Sequence, residues 1–276
     1  MKIAIIGCGY IGISLAHFWS SRGHYITAAT RSLKILQDLD GKIQKKVLLD
    51  KKDLEQLYSL VEDSEVIVLT AFAQRREDYE SDYLEMAEAL VQAAIALGEK
   101  RRLIFTSNCN VYGDHQGQWV DEDAQLLADS EAALLQIEIE KTLLSLEEFD
   151  WRVSILRLAD VYGPTEELWK HIGNLQETVL PGSGGNYTNT VHINDVTGSA
   201  NYVLEHKLTG IYNLVSADHP TQKELADAIC EKKGWPKVRW DRNRFLLRNI
   251  NLRASNHKIK AEGYSFFCEH LDKSAF

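Results

Sequence analysis

Hydrophobic residues fall into two alternating patterns along this chain. Lys2 to Ile6 is a short apolar run, and beyond a cluster of glycines Ile11, Leu15, Phe18 and Trp19 recur at i, i+4, i+7 and i+8. That succession predicts a strand, a tight turn and an amphipathic helix. Further strands are expected at Tyr25 to Ala29, Val47 to Leu49, Glu65 to Thr70, Arg102 to Thr106 and Val153 to Leu158, with long helices over Tyr83 to Leu97 and Ser130 to Leu146. Strands alternating with helices predict an α/β fold, a Rossmann-type doubly wound parallel sheet covered on both faces.

The pattern then changes. Leu180-Pro181-Gly182-Ser183-Gly184-Gly185 reads as a loop before a strand-like Thr190 to Ile193. Thr221 and Glu224 have capping-box spacing, Leu225, Ala228 and Ile229 follow as an apolar face, and Gly234 with Pro236 supplies a stop. The expected organisation is a Rossmann domain over 1–164, to which 188–216 returns, and a small C-terminal α/β substrate lobe over 165–187 and 217–276. Trp169, His171, Asn174, Arg239 and Arg248 are the lobe residues able to meet a polar or phosphorylated ligand.

Composition narrows the partners. A formal net charge of -9, from 31 basic against 40 acidic residues, comes without the long basic blocks that a phosphate backbone calls for, so no nucleic acid is expected. The cysteines Cys8, Cys109, Cys230 and Cys268 lie far apart with no CxxC pair. They fit neither a disulfide framework nor a zinc site, and their natural setting is a reducing cytoplasm with no bound metal. Glycines interrupt the apolar amino-terminal run, which argues against a signal peptide, and nothing reaches the roughly 18 apolar residues of a membrane span.

The glycine cluster is Gly7-Cys8-Gly9-Tyr10-Ile11-Gly12, a GxGxxG spacing set between a strand and a helix. In that context the first glycine permits the tight turn, the second lets the backbone approach a pyrophosphate, and the third lets helix and strand pack closely. The helix N-terminus offers the anion unpaired N–H groups and partial positive charge. About 20 residues past such a motif an acidic side chain marks NAD; here the place reads Thr30-Arg31-Ser32. A guanidinium suits a 2′-phosphate through paired, charge-assisted hydrogen bonds. NADP is therefore expected over NAD; the competing reading is a solvated Arg31 at a strand end, indifferent to the choice.

Four further segments carry a resemblance: Thr106-Ser107-Asn108-Cys109-Asn110-Val111-Tyr112-Gly113, Leu156-Arg157-Leu158-Ala159-Asp160-Val161-Tyr162-Gly163-Pro164, Val191-His192-Ile193-Asn194-Asp195-Val196 and Gly210-Ile211-Tyr212-Asn213-Leu214. With the glycine turn, in this order, they resemble the extended short-chain dehydrogenase/reductase superfamily, its nucleotide-sugar epimerases and dehydratases and their atypical relatives. The resemblance implies that Asp50 contacts the adenine, that Ala71, Phe72 and Ala73 run beside the cofactor ribose, and that His192 and Asp195 brace the substrate lobe. It also implies a small-molecule substrate such as a nucleotide sugar, and a possible homodimer through the helices of Tyr83 to Leu97 and Leu134 to Leu146.

Active members of that superfamily use a tyrosine four residues before a lysine as general acid or base, its pKa lowered by the neighbouring ammonium. Read against Ile137-Glu138-Ile139-Glu140-Lys141, the resemblance leaves the lysine, Lys141, and puts Ile137 in the tyrosine's place. Asn108 stands where a serine or threonine hydrogen-bonds the substrate. The candidate catalytic set is Lys141, Asn108, Ser107 and Tyr112, with Lys141 also placed on the nicotinamide ribose; Tyr162 and Cys109 are further substitutes. Two function classes follow: an NADP(H) enzyme with a nonstandard acid/base group, or a noncatalytic NAD(P)-binding redox sensor or regulatory module.

Overall fold

A computed structural model describes residues 1–39, 41–49, 53–70, 79–164, 179–244 and 250–272. Its centre is a seven-stranded parallel sheet. The strands are β1 (Lys2–Ile6), β2 (Tyr25–Thr30), β3 (Lys45–Leu48), β4 (Val66–Leu69), β5 (Arg102–Asn108), β7 (Arg152–Leu158) and β11 (Gly210–Leu214), in the order β11-β7-β5-β4-β1-β2-β3. Pairing is in register from Ile3 with Ile26 on one side of β1 and Ile3 with Val66 on the other. The chain leaves β1 outward through β2 and β3, then returns to β4, so the winding direction reverses beside β1. Ligands of doubly wound sheets lie in the crevice outside the strand ends at such a reversal.

The run Ile3 to Ile6 and all of β4 are buried, as expected of strands with helices on both faces. Helices α1 (Tyr10–Ser20), α2 (Leu33–Asp38), α3 (Leu54–Glu62), α4 (Tyr79–Leu97) and α5 (Glu131–Leu144) alternate with them. Ala87, Ala93 and Ala94 of α4 join Ile139 and Leu143 of α5 in one core with Leu103 and Phe105. β3 is a thin edge strand whose Lys45 and Lys46 are exposed, a placement that discourages pairing with another chain.

The chain groups into two compact units, Met1–Ser107 with Ser130–Arg157 and Ser199–Ile211, and Asn108–Asp129 with Leu158–Gly198 and Tyr212–Phe276. Residues 108–129, 158–164, 188–198 and 212–216, expected with the Rossmann part, group with the second unit. β6 (Trp119–Val120) pairs with β13 (Arg253–Ala254) in parallel. Asn251 ties the same region together: its carbonyl accepts from His115 N at 3.1 Å and Gly117 N at 2.8 Å, and its side chain accepts from Tyr187 N at 2.9 Å. The second unit also holds β8 (Asp160–Tyr162), β9 (Val179–Pro181), β10 (Thr190–His192) and β12 (Arg239–Asp241). Helix α6 (Ile193–His206) begins where the sequence pattern indicated a strand end, and that pattern gave no sign of the helix. In α7 (Gln222–Lys233) the Thr221/Glu224 capping box forms and Gly234 closes the helix in the left-handed conformation, φ 68°. A short α8 (His257–Ala261) follows.

The segment after Tyr264 is pinned by carboxylates. Asp218 accepts from Leu271 N at 2.8 Å and pairs with His270 Nδ1 at 2.9 Å. Burial pushes the Asp218 carboxyl up, but the His270 hydrogen bond and the Leu271 N–H more than offset it, and the net shift is downward. The same bond raises His270. The raised histidine stabilises the pinned segment below its ordinary value near 6.5 and loses effect as pH rises through the raised one; the lowered aspartate stabilises it above about 3.9 and loses effect as pH falls through the lowered one. Between those limits the clamp is complete. Leu271 N–H exchange, corrected for the intrinsic rate, is therefore expected to be slower at pH 5.5 than at pH 8.5, and His270→Ala to remove the difference; equal protection at both pH values in the unsubstituted protein excludes the clamp.

Candidate functional site

The glycine turn is held by its own backbone. Gly7 N donates to Ala29 O at 2.9 Å and Cys8 N to the same oxygen at 3.3 Å, fixing the exit of β1 against β2. Gly7 has φ 93°, in the region that favours glycine. A Cβ on Gly12 would lie 2.9 Å from Gly7 O and 2.8 Å from Thr70 Oγ1, so glycine alone lets α1 approach this closely. Thr70 Oγ1 donates to Gly7 O at 2.6 Å, linking the turn to the end of β4.

Gly9 differs. Its φ of −93° and ψ of −153° suit any residue, and nothing lies within 4 Å of where a Cβ would stand. It is the N-cap of α1, without a side-chain cap bond, and the first turn carries no acidic residue. An open helix N-terminus of this kind fits a pyrophosphate. Cys8 is turned inward, 0 % exposed, and burial pushes its thiol up to about 12, so only its backbone is available to a ligand. Tyr10 and Ile11 are half-buried on the first turn of α1.

Arg31 directly follows β2, is exposed, and lies with Cζ 5.9 Å from the ring centroid of Tyr83. Ser32 caps α2, its Oγ accepting from Ile35 N at 3.3 Å. Asp50, Ala71, Phe72 and Ala73, like Trp169, His171, Asn174 and Arg248, lie outside the described residues. Arg239 is exposed on β12.

At the end of β5 the hydroxyls expected to act are already engaged. Ser107 Oγ donates to Glu140 Oε1 at 2.5 Å and accepts from Gln136 Nε2 at 3.2 Å. Glu140 accepts from Arg157, Nε to Oε1 at 3.1 Å and Nη2 to Oε2 at 2.7 Å. All four residues are at most 4 % exposed. Asn108 caps the turn Cys109–Tyr112, its side-chain oxygen accepting from Asn110 N at 2.9 Å. Tyr112 is fully buried and donates to Asn213 Oδ1 at 2.7 Å. Cys109 is buried.

The same network orients α5. Its buried residues are Ala133, Gln136, Ile139, Glu140 and Leu143, so the polar side chains that reach the end of β5 are Gln136 and Glu140. Lys141 is exposed and Ile137 half-buried, each one residue further along and about 100° round the helix. Sequence reasoning missed Gln136, Glu140 and Arg157 as a unit. The available signal was the spacing of Ala133, Gln136, Glu140 and Leu143, which falls on one face with two polar members.

In the second unit Asp195 is fully buried and accepts from Tyr264 Oη at 3.2 Å, Phe267 N at 2.5 Å and Cys268 N at 2.9 Å. Tyr162 Oη accepts from Asp272 N at 3.0 Å, and burial pushes its pKa up to about 12. Among the described residues, His192, Asp195 and Cys268 form a group with ligand atoms within 4.8 Å of one another, an arrangement the spread of cysteines gave no sign of. His192 Nδ1 accepts from Asn194 N at 3.2 Å, which leaves the ring proton on Nε2, a donor rather than a ligand, and both Asp195 oxygens already accept backbone N–H groups. On the surface of this unit the Arg253 guanidinium stands 4.9 Å from the Trp119 ring centroid and 4.6 Å from that of Tyr187, with Trp119 55 % exposed.

Fold and turn together define a Rossmann-type α/β protein. The NAD dependent epimerase/dehydratase family matches residues 3–214, and the chain belongs to that family. It is 30 % identical over 234 residues to Protein YeeZ of Escherichia coli, covering 80 % of each chain, and 24 % identical over 251 residues to a UDP-N-acetyl-alpha-D-glucosaminuronate decarboxylase of Bacillus cytotoxicus, covering 81 % of this chain and 77 % of that one. Its fold is similar to that of UDP-glucuronic acid 4-epimerase from Bacillus cereus, solved with UDP-glucuronic acid and NAD, at TM-score 0.78 and 18 % identity, covering 95 % of this chain and 92 % of the other. Among the described residues no helix is long and apolar enough to cross a membrane.

Proposed function

We propose that this protein binds NADP(H) at the Gly7 to Gly12 turn and acts as an oxidoreductase or epimerase/dehydratase-type enzyme on a nucleotide sugar or similar hydroxylated metabolite, through a nonstandard active site. Gly9 carries the reading. Its backbone conformation and the space around it admit any side chain, so the protein's own packing gives no reason for glycine, whereas a pyrophosphate lying on the amino end of α1 does. Arg31, exposed at the end of β2, supplies the 2′-phosphate partner. Ile95 and Leu134, about half exposed on α4 and α5, favour pairing of two copies through these helices.

The test is calorimetric titration with NADPH and NADH, followed by turnover of nucleotide sugars. NADPH is expected to bind more tightly, and Arg31→Ala to weaken NADPH by about 10- to 100-fold, the worth of a charge-assisted hydrogen bond, while sparing NADH. Equal or tighter NADH binding removes the NADP preference. The second reading, a noncatalytic cofactor-binding module, draws on the engaged hydroxyls of Ser107 and Tyr112; cofactor binding without turnover of any nucleotide sugar favours it.

A further inference from the structure

The direction of a bound dinucleotide follows from the sheet order. With the pyrophosphate at α1 and the adenosine ribose toward Arg31 just past β2, the other half lies across β4 toward β5. Neighbouring strands are about 4.8 Å apart, which puts the end of β5 on the order of 10 Å from the end of β1. A phosphate and the second ribose together span that distance.

Of the two polar α5 side chains at this strand end, Glu140 is taken up by Arg157 and Ser107, and the amide of Gln136 is oriented by that network. Arg157 and Ser107 both donate to Glu140. Having given its proton to Glu140, Ser107 Oγ accepts from Gln136, so the amide nitrogen faces Ser107 and the amide carbonyl is turned away from it. We infer that this carbonyl accepts a hydroxyl of the cofactor's second ribose, and that Gln136, rather than the exposed Lys141, is the α5 residue of the cofactor site. The inference rests on the reading that the turn holds a dinucleotide. Its chemical content is that α5 meets the cofactor without charge and without a titratable proton. Ala132, four residues before Gln136 and on the same face, adds none.

The variants are Gln136→Met, which keeps the length and removes the amide, and Gln136→Asn, which keeps the amide and shortens its reach. NADPH affinity is read by its fluorescence, and affinity for the adenosine-side fragment 2′,5′-ADP by calorimetry, with NADH and ADP in their place where NADH is the tighter ligand. Either variant is expected to weaken the dinucleotide about 5- to 10-fold, one hydrogen bond's worth, and to leave the fragment within about twofold of the unsubstituted protein. A merely structural role moves both ligands together and overturns the inference. Unchanged dinucleotide binding in both variants, or a loss on Lys141→Ala that Gln136→Met does not share, overturns it as well while leaving the dinucleotide reading standing. If the unsubstituted protein binds neither dinucleotide nor fragment, that reading falls and this inference with it.

Discussion

Glu140→Ala is expected to lower the free energy of unfolding by about 3–5 kcal/mol in a urea titration, because it leaves a guanidinium buried without its counter-charge. The estimate belongs to the deep-interior case. Glu140 and Arg157 are both 2 % exposed, two nitrogens of the arginine bond two oxygens of the glutamate, and the glutamate also takes the Ser107 proton. Removing the charge from both sides is a different experiment. The double variant Glu140→Leu with Arg157→Met is expected to recover most of the loss, since apolar side chains of similar volume often replace a buried ion pair without net cost. A loss below about 1 kcal/mol for Glu140→Ala would place the pair with solvent-screened ones and contradict the burial described above.

Gly12→Ala and Gly9→Ala are expected to separate folding from binding at the turn. At Gly12 the new methyl meets a backbone oxygen at 2.9 Å and the Thr70 hydroxyl at 2.8 Å. The threonine can rotate, but the Gly7 carbonyl belongs to the turn itself, so α1 has to withdraw. Overpacking of this kind costs about 1–3 kcal/mol, and dinucleotide affinity should fall tenfold or more as the helix end moves off its anion. At Gly9 the methyl enters open space, so stability should stay within about 0.5 kcal/mol, while affinity drops because the methyl stands where the phosphate approaches. Melting temperature and NADPH titration, run on both variants, read the two effects. Unimpaired cofactor binding by Gly9→Ala would mean that the turn serves packing alone.

Periodic features were legible in the sequence, and buried polar ones were not. β1, the glycine turn and α1 follow from an apolar run, a spacing and a 3.6-residue period. β4 is buried on both faces and reads as an unbroken apolar word, Val66 to Leu69. The capping box at Thr221 was visible because it is local. Gln136 and Glu140 were missed because a polar side chain on a helix reads as solvent-facing whether or not a partner waits beneath it, and the partners, Ser107 and Arg157, lie 29 and 17 residues away in sequence. Lys141 was singled out by the resemblance, as the lysine four residues after the tyrosine's place, and it stands one residue off the buried face of α5. The strand β6 and its partner β13 have two residues each, too short for any period.

The crossing at Asn251 sets an order of assembly. Every bond described for the dinucleotide turn is made by residues between Gly7 and Thr70, so the turn is complete once the first four sheet strands have been synthesised. The second unit closes on a residue that emerges some 180 positions later, when Asn251 reaches back to His115, Gly117 and Tyr187. At roughly 5–20 residues per second, that is an interval of about ten seconds or more on the ribosome. For the last 130 or so of those positions the amide hydrogens of His115 and Gly117 await their acceptor and Trp119 its strand partner. The unit that carries the turn also waits, for Ser199–Ile211, but it is complete some 40 positions before Asn251 closes the second.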